Sequence, residues 1–218
     1  MEKNNRMEQY LTASIRISMY CVLPMIGFMV WVLFVPILFY GGMMTSVDAA
    51  QGLGQTLFIF SLPMLFFFAV VPVSLHLKKR SLKELGLKFS FEKKNIVVFV
   101  INSFITIMVL GKLVLNFNSP VDAVPVVFQL CAIGISEEIL CRGILYFEIK
   151  QGFHSNWLAI VLSSVIFAFL FHSGDTDLAN LMVRLPLGVV LALLRSYTGN
   201  VYSSIIAHIW YNSWLFII

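Results

Sequence analysis

Residues 123–149 decide the fold of this chain and read AVPVVFQLCAIGISEEILCRGILYFEI. The stretch is long enough to cross a membrane, because about 20 predominantly apolar residues span the hydrocarbon core of a bilayer. It nevertheless holds three charged side chains within six residues, namely Glu137, Glu138 and Arg142. Charged side chains at mid-membrane cost about 2.5–3.5 kcal/mol each on insertion scales, so the three together cost about 7–10 kcal/mol when unpaired. Something in the folded protein must offset that cost.

The rest of the chain also has the composition of a membrane protein. Of its 218 residues 59% are hydrophobic and 12% are charged, whereas about a quarter of a typical soluble domain is charged. This composition excludes a water-soluble globular protein and a disordered chain. Cys21, Cys131 and Cys141 are scattered in apolar stretches without a CxxC pair, which argues against a disulfide scaffold and against a thiolate metal site.

Apolar runs separated by turn-forming residues predict about seven transmembrane helices. The predicted spans are residues 17–40, 56–77, 96–117, 123–149, 157–172, 178–195 and 201–218. The predicted fold class is therefore all-α, a polytopic membrane helix bundle with short loops. We expect residues 1–122 to form an N-terminal three-helix membrane part with a basic cytoplasmic loop. Residues 123–218 would form the motif-bearing core of the same integrated domain.

The basic residues of the loops predict the orientation of the bundle. Lys and Arg residues lie in the N-terminal segment, in the loop of residues 76–95 and after the fourth and sixth spans, whereas the three other loops hold none. Basic loops stay on the cytoplasmic side, so we expect a multi-pass protein of the cell membrane with a cytoplasmic N-terminus. The formal net charge of +4 follows from these loops and indicates contact with the lipid bilayer, not with nucleic acid.

The three clustered charges of the fourth span, those within six residues, divide into a pair and a single carboxylate. Glu138 and Arg142 are four residues apart, so they lie on one face of the helix and can form an ion pair. Glu137 lies about 100° around the helix from Glu138 and is less well placed to share the arginine. A single buried carboxylate is a natural general base. The alternative is that Glu138 and Arg142 only pin two helices together.

Two later helices also carry polar side chains in apolar surroundings. The fifth span ends at His172, and the seventh carries His208 and Asn212 four residues apart on one face. Helix bundles build sites from side chains on facing helices. Two histidines, a carboxylate and an amide can bind a metal ion, or activate a water and stabilise an oxyanion. Taken singly, His172 could lie at the membrane interface, and His208 with Asn212 could form interhelical hydrogen bonds.

Two patterns carry a resemblance to a known family. The sequence EEILCRG of residues 137–143 matches EExxxRG, and HIWYN of residues 208–212 matches HxxxN. With a phenylalanine-rich helix that ends at His172 between them, the chain resembles the CAAX protease and bacteriocin-processing (CPBP, or Abi) family of intramembrane endopeptidases. The segment SLKELGL of residues 81–87 is similar to one that these proteins often carry ahead of their core. One position departs from the family pattern FxxxH, because Ala168 stands four residues before His172.

The resemblance implies hydrolysis of a peptide bond in a membrane-anchored protein or peptide, as in bacteriocin or pheromone processing or in self-immunity to a bacteriocin. Glu137 would activate the water, and Glu138 with Arg142 would hold Glu137 in place. His172 and His208 would bind a metal ion or position the water and the oxyanion, with Asn212 supporting them. Candidate ligands of a divalent metal such as Zn²⁺ are Glu137, His172 and His208. Whether a metal is used, and the oligomeric state, stay open.

Two other classes of function also stay open. A membrane scaffold or a bacteriocin immunity protein of the Abi type could reuse the fold without catalysis and bind a partner. A proton- or ion-coupled transporter could use Glu137 with the histidines, although the sequence has no internal repeat of useful strength. The patterns HExxH, GxGD and GxSxG of other protease classes are absent from the sequence.

Overall fold

The computed structural model describes residues 2–44, 49–78, 80–172, 174 and 176–218 of the chain, with side chains from residue 7 onward. The residues so described form seven helices and no strand. In chain order the helices are α1 (Glu2–Tyr40), α2 (Gly52–Leu77), α3 (Lys93–Leu115), α4 (Pro120–Phe153), α5 (Asn156–Phe171), α6 (Asp177–Thr198) and α7 (Tyr202–Ile217). The prediction of an all-α helix bundle is confirmed.

Each predicted span coincides with one of these helices. Five of them, α1, α2, α3, α4 and α6, are long and apolar enough to cross a membrane, which supports an integral membrane protein. Helix α7 has 16 residues and α5 is of similar length. A helix of 16 residues is about 24 Å long, somewhat less than the thickness of the hydrocarbon core. Seven crossings and a cytoplasmic N-terminus stay predictions.

Helix α4 carries the charged stretch from which the fold prediction starts. It begins after Ser119, whose hydroxyl oxygen accepts a hydrogen bond from the backbone N–H of Val121 at 3.3 Å. A π-helical turn, Ile139–Leu145, follows directly after Glu138. Such turns are rare and occur often at functional sites. The helix ends at His154, which adopts a left-handed φ of +52°, so that the chain reverses direction into α5.

The other helices pack around α4. Helix α7 lies against α3 and against the first half of α4, while α1 lies against its last turns and α6 packs on α5. The π-helical turn of α4 contributes much of the core, and its fully buried apolar side chains are Leu140, Cys141, Ile144 and Leu145. Many apolar side chains of α1 and α3 are exposed, as expected for helices that face lipid.

Arg195 of α6 connects the basic loop between α2 and α3 to α4. Within the loop, the backbone N–H and hydroxyl of Ser81 both donate to Oε2 of Glu84, at 2.7 and 3.0 Å, and they hold the pKa of the Glu84 carboxyl below its usual range. Arg195 of α6 donates from Nη2 to the carbonyl oxygen of Glu84 at 3.5 Å and from Nε to that of Arg142 at 3.0 Å. The loop therefore packs directly beside the charged turn of α4.

Candidate active site

Glu138 contacts Arg142 on its own helix, α4, and His208 on α7. Its Oε2 atom lies 3.4 Å from Nε of Arg142, so the predicted pair is present, and its Oε1 atom lies 3.1 Å from Nδ1 of His208. Because an ionised carboxylate only accepts hydrogen bonds, Nδ1 of His208 is the donor, and Nε2 of the neutral imidazole ring is left as an acceptor. The contact between Glu138 and His208 therefore determines which nitrogen of His208 faces the rest of the site.

Glu137 faces a different group of side chains. Its Oε2 atom lies 3.8 Å from Nε2 of His172 and 3.9 Å from Nε2 of His208. The side chain of Glu137 is 8% exposed, and its Oε2 atom has no hydrogen-bond partner among the residues that the structure describes. Both distances exceed that of a direct hydrogen bond, so a water that contacts the three side chains can complete the group.

Arg142 carries the positive charge of this region and is fully buried. Besides its contact with Glu138, it donates from Nη2 to the carbonyl oxygen of Gly188 on α6 at 3.0 Å. Its guanidinium carbon lies 4.5 Å from the centre of the Phe167 ring. A carboxylate, a carbonyl oxygen and an aromatic face together offset the cost of burying the guanidinium group.

His172 follows the last turn of α5, which is also π-helical and covers Phe167–Phe171. Its carbonyl oxygen accepts a hydrogen bond from Nδ2 of Asn180 on α6 at 3.0 Å, which connects the end of α5 to the next helix. The side chain of His172 is 18% exposed, whereas that of His208 is 1% exposed. Access from outside the bundle is therefore greater on the His172 side of Glu137.

Phe167 is a residue of the site that sequence reasoning did not identify. Its ring centre lies 4.9 Å from that of His172 and 5.5 Å from that of His208, and the side chain is fully buried. In a π-helical turn the hydrogen bond joins residues five apart, and Phe167 stands five residues before His172. An aromatic ring therefore contacts both histidines although Ala168 departs from FxxxH. The flanking phenylalanines are visible in the sequence, but the π-helical turn that orients Phe167 is not.

Asn212 lies one turn after His208 on α7 and is half-buried. Within the part of the chain that the structure describes, it has no hydrogen bond with Glu137, His172 or His208. The structure thus brings the two glutamates, Arg142 and the two histidines together. A supporting role for Asn212 stays a prediction.

The candidate metal ligands Glu137, His172 and His208 lie next to one another. The described residues nevertheless contain no group of three or more His, Cys, Asp or Glu side chains that could hold a metal ion. Zinc ligands lie about 2.0–2.2 Å from the ion. Use of Zn²⁺ by these side chains stays open.

A third buried carboxylate of α4, after Glu137 and Glu138, lies near the C-terminal end of the helix. Glu148 is 5% exposed, and its Oε1 atom lies 3.6 Å from Nδ1 of His76 on α2. Its Oε2 atom lies 3.7 Å from Nη1 of Arg16 on α1. The signal in the sequence is a glutamate close to the end of the fourth predicted span, outside any of the motifs. Glu148 stands eleven positions after Glu137, about 16 Å further along the helix axis.

The group around Glu137 has the components of a hydrolytic site. A carboxylate beside two imidazole nitrogens can take a proton from a water and return it to a leaving group. The buried ion pair beside it places a fixed charge next to the reacting groups, where water is largely excluded. Three helices, α4, α5 and α7, supply these side chains.

Comparison with known proteins points to the same part of the chain. Residues 118–214 match a family described as type II CAAX prenyl endopeptidase Rce1-like, and this region includes EExxxRG, His172 and HxxxN. No curated protein and no solved structure matches the chain. The family supports a CAAX-type intramembrane protease that acts on a peptide or a membrane protein. The resemblance drawn from the motifs is therefore confirmed: residues 118–214 are similar to the Rce1-like type II CAAX prenyl endopeptidase family.

Proposed function

We propose that this protein is an intramembrane endopeptidase that hydrolyses a peptide bond with a water activated by Glu137. The observation that carries the proposal is the position of Oε2 of Glu137, 3.8 Å from Nε2 of His172 and 3.9 Å from Nε2 of His208. Polar side chains that converge inside a membrane bundle cost free energy, so they are rare there and usually mark a functional site.

The two neighbouring glutamates would have different tasks. Glu138 already contacts Arg142 and His208, so its carboxylate is held in place and serves to position other groups. Glu137 has no such fixed partner at Oε2 within the described residues, and it is the carboxylate that can exchange protons with a water. Glu138 and Arg142 would thus position the base, and Glu137 would be the base.

The histidines would orient the reactants. With Nδ1–H of His208 donating to Glu138, Nε2 of the neutral ring can accept a hydrogen bond from the attacking water and direct its other proton to Glu137. His172, on the more accessible side, would contact the carbonyl oxygen of the scissile bond as charge develops on it. Glu137 would then return the proton to the leaving amine, with Asn212 supporting.

The substrate class follows from the family and from the membrane location. We propose a membrane-associated protein or peptide that is cut near its C-terminus or leader, such as a bacteriocin or pheromone precursor, or a bacteriocin against which the cell protects itself. The match to a CAAX prenyl endopeptidase family supports the peptide-bond chemistry. The identity of the peptide is part of the proposal.

The decisive experiment compares Glu137→Gln with the unchanged protein. Membrane peptides of cells that express each form are compared by mass spectrometry, and the purified proteins are then tested on the peptides that differ. Loss of a general base lowers the rate by about 10²–10⁴-fold, so cleavage should disappear while the amount of folded protein stays the same. Glu92→Gln, at an exposed carboxylate with a side chain 62% exposed, is the matched control and should cleave normally.

The opposite result would favour the non-catalytic alternative. If cells with Glu137→Gln keep the same peptide profile and the same immunity phenotype, a scaffold or immunity protein that binds a partner explains the data, and the protease proposal is wrong.

A further inference from the structure

Two cavities meet beside Glu148, away from the candidate active site. The larger has a volume of about 530 Å³ and lies between α1 and α2, and the smaller has a volume of about 410 Å³ and lies between α1 and the end of α4. Three charged side chains, Arg16, Arg80 and Glu148, line both. Volumes of about 300–1,000 Å³ are typical of sites for small ligands.

The larger cavity, which we call the apolar cavity, is lined mainly by hydrocarbon side chains. They are Met19 and Leu23 of α1 and Phe67, Val71 and Leu75 of α2. Met19, Leu23 and Leu75 are about half exposed, at 52%, 55% and 49%, so the cavity opens toward the surroundings of the helices. Such a groove between two membrane helices suits a hydrocarbon chain.

The smaller cavity, which we call the polar cavity, has a different lining. Besides the three shared charges it is lined by Glu8, Gln9, Thr12 and Gln151. Their carboxylate, amide and hydroxyl groups can exchange hydrogen bonds with a hydrated polar group. The two cavities together therefore form one amphipathic space, apolar on one side of Arg16 and Arg80 and polar on the other.

The two arginines at the junction are available for an anion. Nη1 of Arg16 lies 3.7 Å from Glu148, and Nη1 of Arg80 lies 3.7 Å from Glu84, so both ion pairs are longer than a direct hydrogen bond. The guanidinium carbon of Arg80 lies 5.5 Å from the centre of the Phe147 ring. Both arginine side chains are partly exposed, at 46% and 40%. Guanidinium groups bind phosphate well because their planar N–H donors match its oxygens.

Glu148 lies at the junction and offsets one of the two arginine charges there. It lies 3.6 Å from His76, whose Nδ1 is also 3.2 Å from the hydroxyl of Tyr20. The three charges at the junction itself, two arginines and one glutamate, sum to +1. Glu8 adds a negative charge only on the side of the polar cavity, and Glu84 faces Arg80 from the loop. At the junction an anionic group such as phosphate is therefore favoured over a cation, and the cytoplasmic surface of a membrane is rich in anionic lipid headgroups.

We propose that this space is a binding site for an anionic phospholipid of the membrane. Its phosphate is bound by Arg16 and Arg80, one acyl chain occupies the apolar cavity between α1 and α2, and the remaining headgroup lies in the polar cavity. The lipid connects α1, α2 and the end of α4, so it stabilises the packing of the N-terminal helices on the motif-bearing core. The site is independent of peptide-bond hydrolysis.

The test uses the full chain, purified in detergent, stripped of lipid and titrated with dioleoylphosphatidylglycerol or dioleoylphosphatidylcholine under native mass spectrometry. We expect one phosphatidylglycerol to bind more tightly than phosphatidylcholine. Charge-assisted hydrogen bonds to phosphate account for at least about a tenfold change in Kd, so Arg16→Gln/Arg80→Gln should weaken binding by that factor or more. The control Lys83→Gln/Lys88→Gln removes the same amount of positive charge from the loop that carries Arg80, outside the lining of both cavities, and should bind normally.

A second variant tests the apolar part of the site independently. Leu23→Trp fills the cavity from a half-exposed position and leaves both arginines in place, so it should also weaken phosphatidylglycerol binding without loss of folded protein. The proposal is overturned if the arginine variant binds like the unchanged protein, if the lysine control loses as much, or if phosphatidylcholine binds equally well. If the arginine variant does not fold, Leu23→Trp and the comparison of the two lipids decide.

Discussion

Nδ1 of His208 lies 3.1 Å from Oε1 of Glu138, and the two residues are 70 positions apart in the chain. This contact joins α7 to α4 and completes the environment of a carboxylate that also faces Arg142 at 3.4 Å. The carboxylate of Glu138 already contacts Arg142 and His208. The adjacent Glu137 is the carboxylate that faces the space between the two histidines. A contact between helices therefore gives two neighbouring glutamates different surroundings.

The buried pair of Glu138 and Arg142 allows a test of its energetic role. Glu138→Gln leaves a buried guanidinium group without its carboxylate, which typically costs about 3–5 kcal/mol of folding free energy. The double variant Glu138→Gln/Arg142→Met removes both charges and should recover most of that loss, while cleavage stays low because the base is no longer positioned. Thermal unfolding in detergent and cleavage of a membrane peptide measure the two effects.

The control for this prediction is an exposed pair. Glu92 lies 3.4 Å from Lys94 with both side chains largely exposed, so Glu92→Gln should change stability by less than about 1 kcal/mol. Equal stability of Glu138→Gln and the unchanged protein would show that the buried pair does not hold the site together.

The departure from FxxxH gives a prediction that runs against the family pattern. Ala168 is fully buried. Ala168→Phe, which restores the pattern, should therefore overpack the site and lower the free energy of unfolding by about 1–3 kcal/mol. Phe167→Ala removes a buried ring and should lower the free energy of unfolding by about 3–5 kcal/mol. It also removes the aromatic face that contacts Arg142 and both histidines. Thermal unfolding and cleavage assays measure both. A more stable and more active Ala168→Phe would contradict the assignment of Phe167.

The contact of the basic loop with α6 can be tested at two glycines with the same backbone conformation. Gly86 and Gly199 both have a left-handed φ, at +73° and +71°. A Cβ atom on Gly86 would lie 2.5 Å from the guanidinium carbon of Arg195, whereas one on Gly199 would have no neighbour within 4 Å among the described residues. Gly199→Ala should lower the free energy of unfolding by about 1–2 kcal/mol because of backbone strain. Gly86→Ala should lower it further, because its Cβ atom would also clash with Arg195.

The unfolding temperatures of the two alanine variants measure this difference. A variant that also carries Arg195→Ala should remove the excess cost at Gly86, since the clash is with that side chain. If Gly86→Ala and Gly199→Ala are equally destabilised, the loop does not pack on Arg195 in the way described.

The predicted orientation can be checked by cysteine labelling of intact cells. Lys88→Cys lies in the basic loop, and Val121→Cys lies at the start of α4 with an exposed side chain (73%), next to a loop without basic residues. A membrane-impermeant maleimide should label Val121→Cys in intact cells and Lys88→Cys only after permeabilisation. Native Cys21 and Cys141 are buried, and Cys131 is replaced by alanine as background. The reverse pattern would place the N-terminus outside.

The helices and their approximate ends are properties of the sequence. Long apolar runs, interrupted at residues such as Gly41, Asn118 and Gly199, have few alternatives to helices in a membrane, because every backbone group must be hydrogen-bonded within the segment. The pairing of Glu138 with Arg142 could also be predicted, because residues four apart on a helix are neighbours whatever surrounds them. Local geometry determines both results.

The tertiary structure alone decided how these helices face one another. The contacts of His208 with Glu138, of Glu137 with the two histidines, and of Phe167 with Arg142 all depend on the rotation of each helix and on two π-helical turns. Membrane helices are apolar on most faces, so the hydrophobic pattern does not indicate which face packs inward. For the same reason, the group around Glu148 had no distinct signal in the sequence, although it joins three helices through contacts of 3.6 and 3.7 Å. Sequence determined the helices and the chemical groups that they carry, and packing determined which of those groups meet.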